Sequence, residues 1–218
     1  GTINNSGLIT ASAGYDDASS VDDAMGIAIT VTSTVGTITN SGTISASAGA
    51  DDAYGIHLDT KSSVGTLTNS GTITTSAGED DAVGIFIVDT STIATFNNTG
   101  TISVTAGIKE ATGILVSSNS TITTLTNSGL IEAISLGFDA NGIDMQDDDV
   151  TGINTITTLT NTGTISGSAA GSIGRGVNLD ERSLIISLDN QGLIQGAAVA
   201  TYGRGVRLTS ASSITTLT

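Results

Sequence analysis

The motif Asn-Ser/Thr-Gly-x-Ile recurs down the whole chain, in most steps every 29 residues. Copies begin at Asn5, Asn40, Asn69, Asn98, Asn127 and Asn161, and Asn190-Gln191-Gly192-Leu193-Ile194 keeps the frame with a changed second residue. A fixed period of roughly 20–50 residues marks a stacked array, in which each repeat packs only on its neighbours. The repeat overrides the expectation of one or two ordinary domains that 218 residues would carry, and it predicts one continuous body over 1–218. It also points to a scaffold and its surface, because an active site is usually a departure from repetition.

Within one period, Gly65 to Ile93, three short β-type runs appear: Thr66-Leu67-Thr68-Asn69, Thr72-Ile73-Thr74 and Gly84-Ile85-Phe86-Ile87. Each is too short for a helix, and β-branched residues dominate. Five columns stay apolar in every copy. They contain Leu67, Ile73, Ile85, Ile87 and Ile93 with their equivalents one period away, such as Phe96, Ile102, Ile114, Val116 and Ile122. Like stacked on like predicts an all-β, right-handed parallel β-helix (β-solenoid) of about seven coils, three short strands per coil, roughly 34 Å long at the usual inter-strand spacing.

The Asn column (Asn5, Asn40, Asn69, Asn98, Asn127, Asn161, Asn190) reads as a structural ladder, each amide donating to one neighbouring copy and accepting from the other. Asn also tolerates a left-handed corner, and the Gly two residues later allows positive φ and close packing. The column Gly26, Gly55, Gly84, Gly113, Gly142, Gly176, Gly205 reads the same way. Spacing then locates two insertions. The step from the motif Ile to this Gly is 11 residues except from Ile9 to Gly26, where it is 17; the step on to the next apolar residue is 9 except from Gly142 to Ile156, where it is 14. Extra loops are expected near 11–25 and 146–153.

Composition narrows the function. Net charge is -15 although only 12% of residues are charged, so a basic footprint for nucleic acid is missing, as is attraction to anionic membrane surfaces. No apolar stretch is long enough for a transmembrane helix, so no direct membrane insertion is expected. The chain has no Cys, Pro or Trp, and aromatics are 3%, which leaves a thin core of Ile, Leu and Val. No signal peptide is visible at Gly1, and Thr215-Thr216-Leu217-Thr218 starts an eighth repeat, so the chain reads as a segment of something longer.

The recurring Leu-Thr-Asn-Ser-Gly-Thr-Ile, followed by Ala-x-Gly-Ile-x-Leu or near equivalents, resembles the passenger regions of Gram-negative autotransporters and related repetitive β-helical surface adhesins. The resemblance covers the whole chain. It implies secretion, extracellular display on the bacterial surface as a rod, and a host or cell-surface ligand met by loops or a tip. A two-partner secreted protein or a subunit of an extracellular fibre would look the same, and open coil edges would allow end-to-end self-association.

Candidate chemistry is sparse. Asp22-Asp23, Asp51-Asp52 and Asp80-Asp81 occupy equivalent places, with Glu110 and Asp139 later, and form an expected acidic ridge. Stacked carboxylates repel, so Asp51, Asp52, Asp80 and Asp81 are candidate calcium ligands, and Asp147, Asp148 and Asp149 are a second set. The calcium-binding nonapeptide of roll repeats is absent, and a solvated acidic face is the alternative. No other cofactor is implied. Arg175 and Arg204 appear near the ridge in the last coils, which would change its sign along the rod. Thr-x-Thr pairs such as Thr66/Thr68 suit an ice-binding face but are interrupted by Asn97, Ser187 and Asp189. A polysaccharide-active enzyme would need clustered carboxylates, yet Glu132, Asp144, Asp180 and Glu181 fall in different places. The sole His57 lies between Ile56 and Leu58, so alternation points it outward as a surface residue. The reading is a structural rod with no catalytic residues.

Overall fold

A computed structural model describes residues 1–14, 23–146 and 152–218. Every regular element among them is a β-strand, and no helix is long and apolar enough to cross a membrane. The strands form three parallel sheets of eight, seven and seven strands, and each coil contributes one strand to each sheet. Coil three shows the pattern: Ser63–Asn69 in the first sheet, Thr72–Ala77 in the second and Ala82–Ile87 in the third. Seven such coils stack, and Ser213–Leu217 begins an eighth. Register follows the repeat without slippage: Leu67 pairs with Phe96, Ile73 with Ile102 and Ile85 with Ile114. The chain is a β-solenoid.

The five apolar columns face inward, and most of their members in the middle coils are fully buried. Three columns of small residues complete the core. Ala53, Ala82, Ala111 and Ala140 open the third-sheet strands, Ala77 and Ala106 close the second-sheet strands, and Ala46, Thr75, Val104 and Ala133 lie between.

The three corners differ. At the first, each Asn side chain donates Nδ2 to the Oδ1 of the next Asn, at 2.7–2.8 Å, in an unbroken run from Asn5 to Asn190. Asn40, Asn69, Asn98, Asn127 and Asn161 are fully buried. The expectation of a left-handed backbone here is corrected: neither these Asn nor any described Gly has positive φ. The Gly is required by close approach instead. A Cβ on Gly71 would lie 2.0 Å from the carbonyl oxygen of Gly42 in the coil before.

Left-handed backbone occurs at the third corner, between the third sheet and the next coil, in consecutive non-Gly pairs. Thr60 and Lys61, Asp89 and Thr90, Ser118 and Asn119, and Glu181 and Arg182 all have positive φ. Such residues are strained, and the strain is held by neighbouring coils. Lys61 N donates to Asp89 O (2.8 Å), and Thr90 N donates to Ser118 O (2.9 Å). A second ladder runs beside them: Ser62 N donates to Ser91 Oγ, Ser91 N to Ser120 Oγ and Ser120 N to Asn154 Oδ1, at 3.1–3.2 Å. All four of these side chains are buried.

The insertion expected near 11–25 is described only at its two ends, because residues 15–22 lie outside the described residues. Residues 11–13 and 24–25 belong to the flanking strands Leu8–Ala13 and Ala24–Ile29, so the added length lies between them. The insertion expected near 146–153 follows the strand Ala140–Met145, and its residues 147–151 lie outside the described residues.

Candidate functional site

Among the described residues, most ionisable groups lie at the second corner and on the outer face of the third sheet. The Asp residues that end each corner do a structural job there. Asp81 N donates to Asp52 Oδ1 (3.0 Å), Glu110 N donates to Asp81 Oδ1 (2.8 Å) and Ile173 N donates to Asp139 Oδ1 (3.0 Å). A carboxylate in one coil thus accepts the backbone N–H of the next, a charge-assisted bond. Burial pushes the carboxyls of Asp23, Asp52 and Asp81 above their ordinary range, aided by the Asp neighbours.

Oxygens of Asp52, Asp80 and Asp81 all lie within 4.8 Å of one another. They also have protein donors. Asp52 Oδ2 accepts from the Tyr54 hydroxyl (2.5 Å), and Asp80 Oδ1 accepts from Asp81 N (3.0 Å) and Lys109 Nζ (2.7 Å). A calcium ion would have to compete with those donors. Asp51 sits on the same corner, half-buried. Asp22, Asp147, Asp148 and Asp149 lie outside the described residues.

Two outward columns flank the third-sheet Gly. One runs Met25, Tyr54, Val83, Thr112, Asn141, Arg175, Arg204; the other runs Ala28, His57, Phe86, Leu115, Asp144, Asn178, Arg207. Tyr54 and His57 are three residues apart yet stack on each other, with ring centroids 5.0 Å apart. Alternation is interrupted at Gly55, where a Cβ would meet Gly84 O at 2.5 Å and Ile73 Cγ2 at 2.6 Å.

His57 is therefore not the free surface residue its alternation implied. It points out of the coil but packs against both Tyr54 and Phe86, the latter ring 5.0 Å away and nearly parallel to it. Both ring nitrogens are buried and have no partner. Burial pushes the imidazole below its ordinary value, against the pull of Asp59 and Asp89. Tyr54 is pushed up by burial and by its bond to Asp52.

From coil five onward both columns are polar, and Asn141, Asp144, Arg175, Asn178 and Arg207 form one network. Asn141 Nδ2 donates to Asp144 Oδ2 (2.9 Å) and to Glu110 Oε1. Asn178 Nδ2 donates to Asp144 Oδ1 (2.8 Å). Arg175 Nη1 reaches Asp139 Oδ2 (2.8 Å) and Asn141 Oδ1 (3.1 Å), while its Nε has no partner. Arg207 Nη1 joins Asn178 Oδ1 (2.8 Å) to Asp180 Oδ2 (3.1 Å). Arg175 is 6% exposed, so it does not reverse the sign of an exposed ridge; it is a buried partner of Asp139. Burial works against ionisation of Asp139, but bonds from Ser172, the Ile173 N–H and Arg175 hold its carboxyl below the usual range.

Asp144 is 1% exposed, and burial raises its carboxyl to about 6. Glu110 is raised well above its ordinary value, first by burial and then by the charge of Asp144. Beside them, a groove of about 420 Å3 is lined by Asp81, Ile108, Lys109, Glu110 and Phe138. Of the four carboxylates weighed for polysaccharide chemistry, Asp144 and Asp180 share this network through Asn178 and Arg207. Glu132 lies on the second sheet, and Glu181 lies in the left-handed turn after Gly174–Leu179. The four are not assembled into one cluster.

The sequence reading put Glu110 on the acidic ridge without seeing its bond to Asn141, and it missed Asn141, Asn178 and Arg207. The signal was available in the two columns beside the Gly, which change from apolar to polar between coils four and five. Comparison of the chain with protein families, with curated proteins and with solved structures finds no match in any of the three.

Proposed function

We propose that this chain is a structural segment of an extracellular β-solenoid rod, serving as a passenger or adhesin stalk on a bacterial surface or as part of a secreted fibre. The observation that carries the reading is the Asn ladder, unbroken through seven coils and in register with the apolar columns. Its bonds run along the axis, as do those of all three sheets. Axial load would be shared by three sheets and a side-chain Asn ladder. The resemblance of Leu-Thr-Asn-Ser-Gly-Thr-Ile to surface passengers supports the extracellular placement.

The test is where the native protein resides. Antibodies against this segment are expected to label intact, unpermeabilised cells or shed fibres. Labelling that appears only after lysis would overturn the proposal.

A further inference from the structure

We propose that the groove at the second corner of coils four and five binds a basic and apolar segment of a partner protein, seating an Arg or Lys side chain between Ile108 and Phe138 with its charge toward Asp81 and Glu110. The place is a break in the repeat. Coils two and three fill this corner with Asp51-Asp52 and Glu79-Asp80-Asp81. Coils four and five instead bring out Ile108 and Phe138, 55% and 62% exposed, with Leu136 on the same corner at 61%. Stacking does not require these side chains: Ile108 stands where coil three has Glu79, and Phe138 stands where coil six has Ser172. A groove of this kind adds a binding role to the structural one, and it does not depend on where the rod is displayed.

Ile108, Phe138 and Lys109 line the groove of about 420 Å3 together with Asp81 and Glu110. Gly137 follows Ile108 in its column, and a Cβ there would lie 2.2 Å from Ile108 O, so no side chain can fill that place. Among the described residues, Asp81 accepts one bond, from Glu110 N to Oδ1 at 2.8 Å, which leaves Oδ2 for an incoming donor. Lys109 does not occupy that role, because its Nζ is held by Asp80 Oδ1 at 2.7 Å.

Charge selects the occupant. The chain has a net charge of -15, and Asp80, Asp81 and Glu110 outnumber Lys109 around the groove. A second copy, a nucleic acid or an anionic surface would be repelled there, whereas a cationic segment is drawn in. The exposed Ile108 and Phe138 add a demand for hydrocarbon. The long stem of an Arg or Lys covers apolar surface while its charged head stays among polar groups, and a guanidinium also stacks on an aromatic face. Apolar side chains exposed together and rimmed by polar ones mark a docking surface.

The probe is the peptide Leu-Arg-Phe-Arg-Leu, blocked at both ends, titrated into the whole isotope-labelled chain at physiological ionic strength and followed by heteronuclear NMR. The controls are Leu-Glu-Phe-Glu-Leu and Gly-Arg-Ser-Arg-Gly. Saturable shifts are expected with the first peptide, centred on residues 107–110 and 136–139, and either control should bind at least about fivefold more weakly. Ile108→Glu and Phe138→Ser place at the groove what other coils carry at Glu79 and Ser172, so the stack should be kept. Each should weaken the first peptide at least about fivefold, Ile108→Glu in spite of its added negative charge. No saturable binding, shifts centred away from this corner, equal affinity for Gly-Arg-Ser-Arg-Gly, or unchanged affinity in Phe138→Ser would each overturn the proposal. Should a variant not fold, the wild-type shift map and the two control peptides still decide. Sedimentation of the chain alone is a further arm: a dimer that forms without peptide and is lost in Phe138→Ser would assign the groove to a second copy and overturn the proposal as well.

Discussion

His57 has two buried ring nitrogens that meet no partner, which costs desolvation without return. Replacing it by Phe would continue the Phe86 stack and remove both orphans. His57→Phe is expected to raise the melting temperature at pH 7.5 by about 2–4 °C. The imidazole is held below its ordinary 6.5, so the unfolded chain takes up a proton first as pH falls. Wild-type stability is therefore lost below that value, and the advantage of His57→Phe should widen at pH 5; an advantage that shrinks there would count against the buried, neutral imidazole. Asn98 is the opposite case, a polar group with every bond made. It accepts from Asn69 at 2.8 Å and donates to Asn127 at 2.8 Å and to Leu130 O at 3.1 Å. Asn98→Ala should cost about 2–4 kcal/mol in denaturant unfolding, and Asn5→Ala, at the end of the ladder with one Asn neighbour, about half as much. The contrast explains what could be read in advance. A repeated Asn announces its own partner one period away, whereas the covering of His57 depends on Tyr54 and Phe86, single occurrences in their columns.

At the scale of elements, strand positions were legible because five apolar columns recur at fixed offsets, and parallel pairing demands that register. The turns were not. Sequence reasoning gave positive φ to glycines, but the left-handed pairs are Val31-Thr32, Thr60-Lys61, Asp89-Thr90, Ser118-Asn119, Glu181-Arg182 and Ser210-Ala211, with no glycine among them. Their conformation is imposed by the bonds between coils, so composition carries no trace of it. The network around Asp144 was hidden for a similar reason: its members sit in separate columns and meet only because Gly55 and its equivalents interrupt alternation. Thr90 gives a test of the turn. It is β-branched, exposed and at φ 63, a conformation that suits Asn far better. Thr90→Asn keeps the bond from residue 90 N to Ser118 O and should raise the urea midpoint, by the equivalent of about 0.5–1 kcal/mol. A lower midpoint would mean that the Thr side chain contributes more than its backbone strain costs.

For the molecule as a whole, contacts are confined to neighbouring coils, so stability should be distributed along the axis as in a one-dimensional array. The middle coils bury their apolar columns completely, whereas Ile3, Ile9, Ile194 and Ile214, in the outer coils, are only partly buried. Protection against hydrogen exchange is therefore expected to be highest in coils three to five and to decline toward both ends. Ile85→Ala probes how far a local loss travels. Ile85 is fully buried in coil three and pairs with Ile56 below and Ile114 above. Removing its side chain should cost about 2–5 kcal/mol through lost transfer energy and the cavity left behind. If coupling is between nearest neighbours, amides of coils two to four should lose protection at least roughly tenfold while those of coil six stay near wild type. Equal loss in every coil would show instead that the rod unfolds as a single unit. That outcome would make each coil's stability a property of the full stack, and a surface rod built this way would fail all at once under load rather than fray from an end.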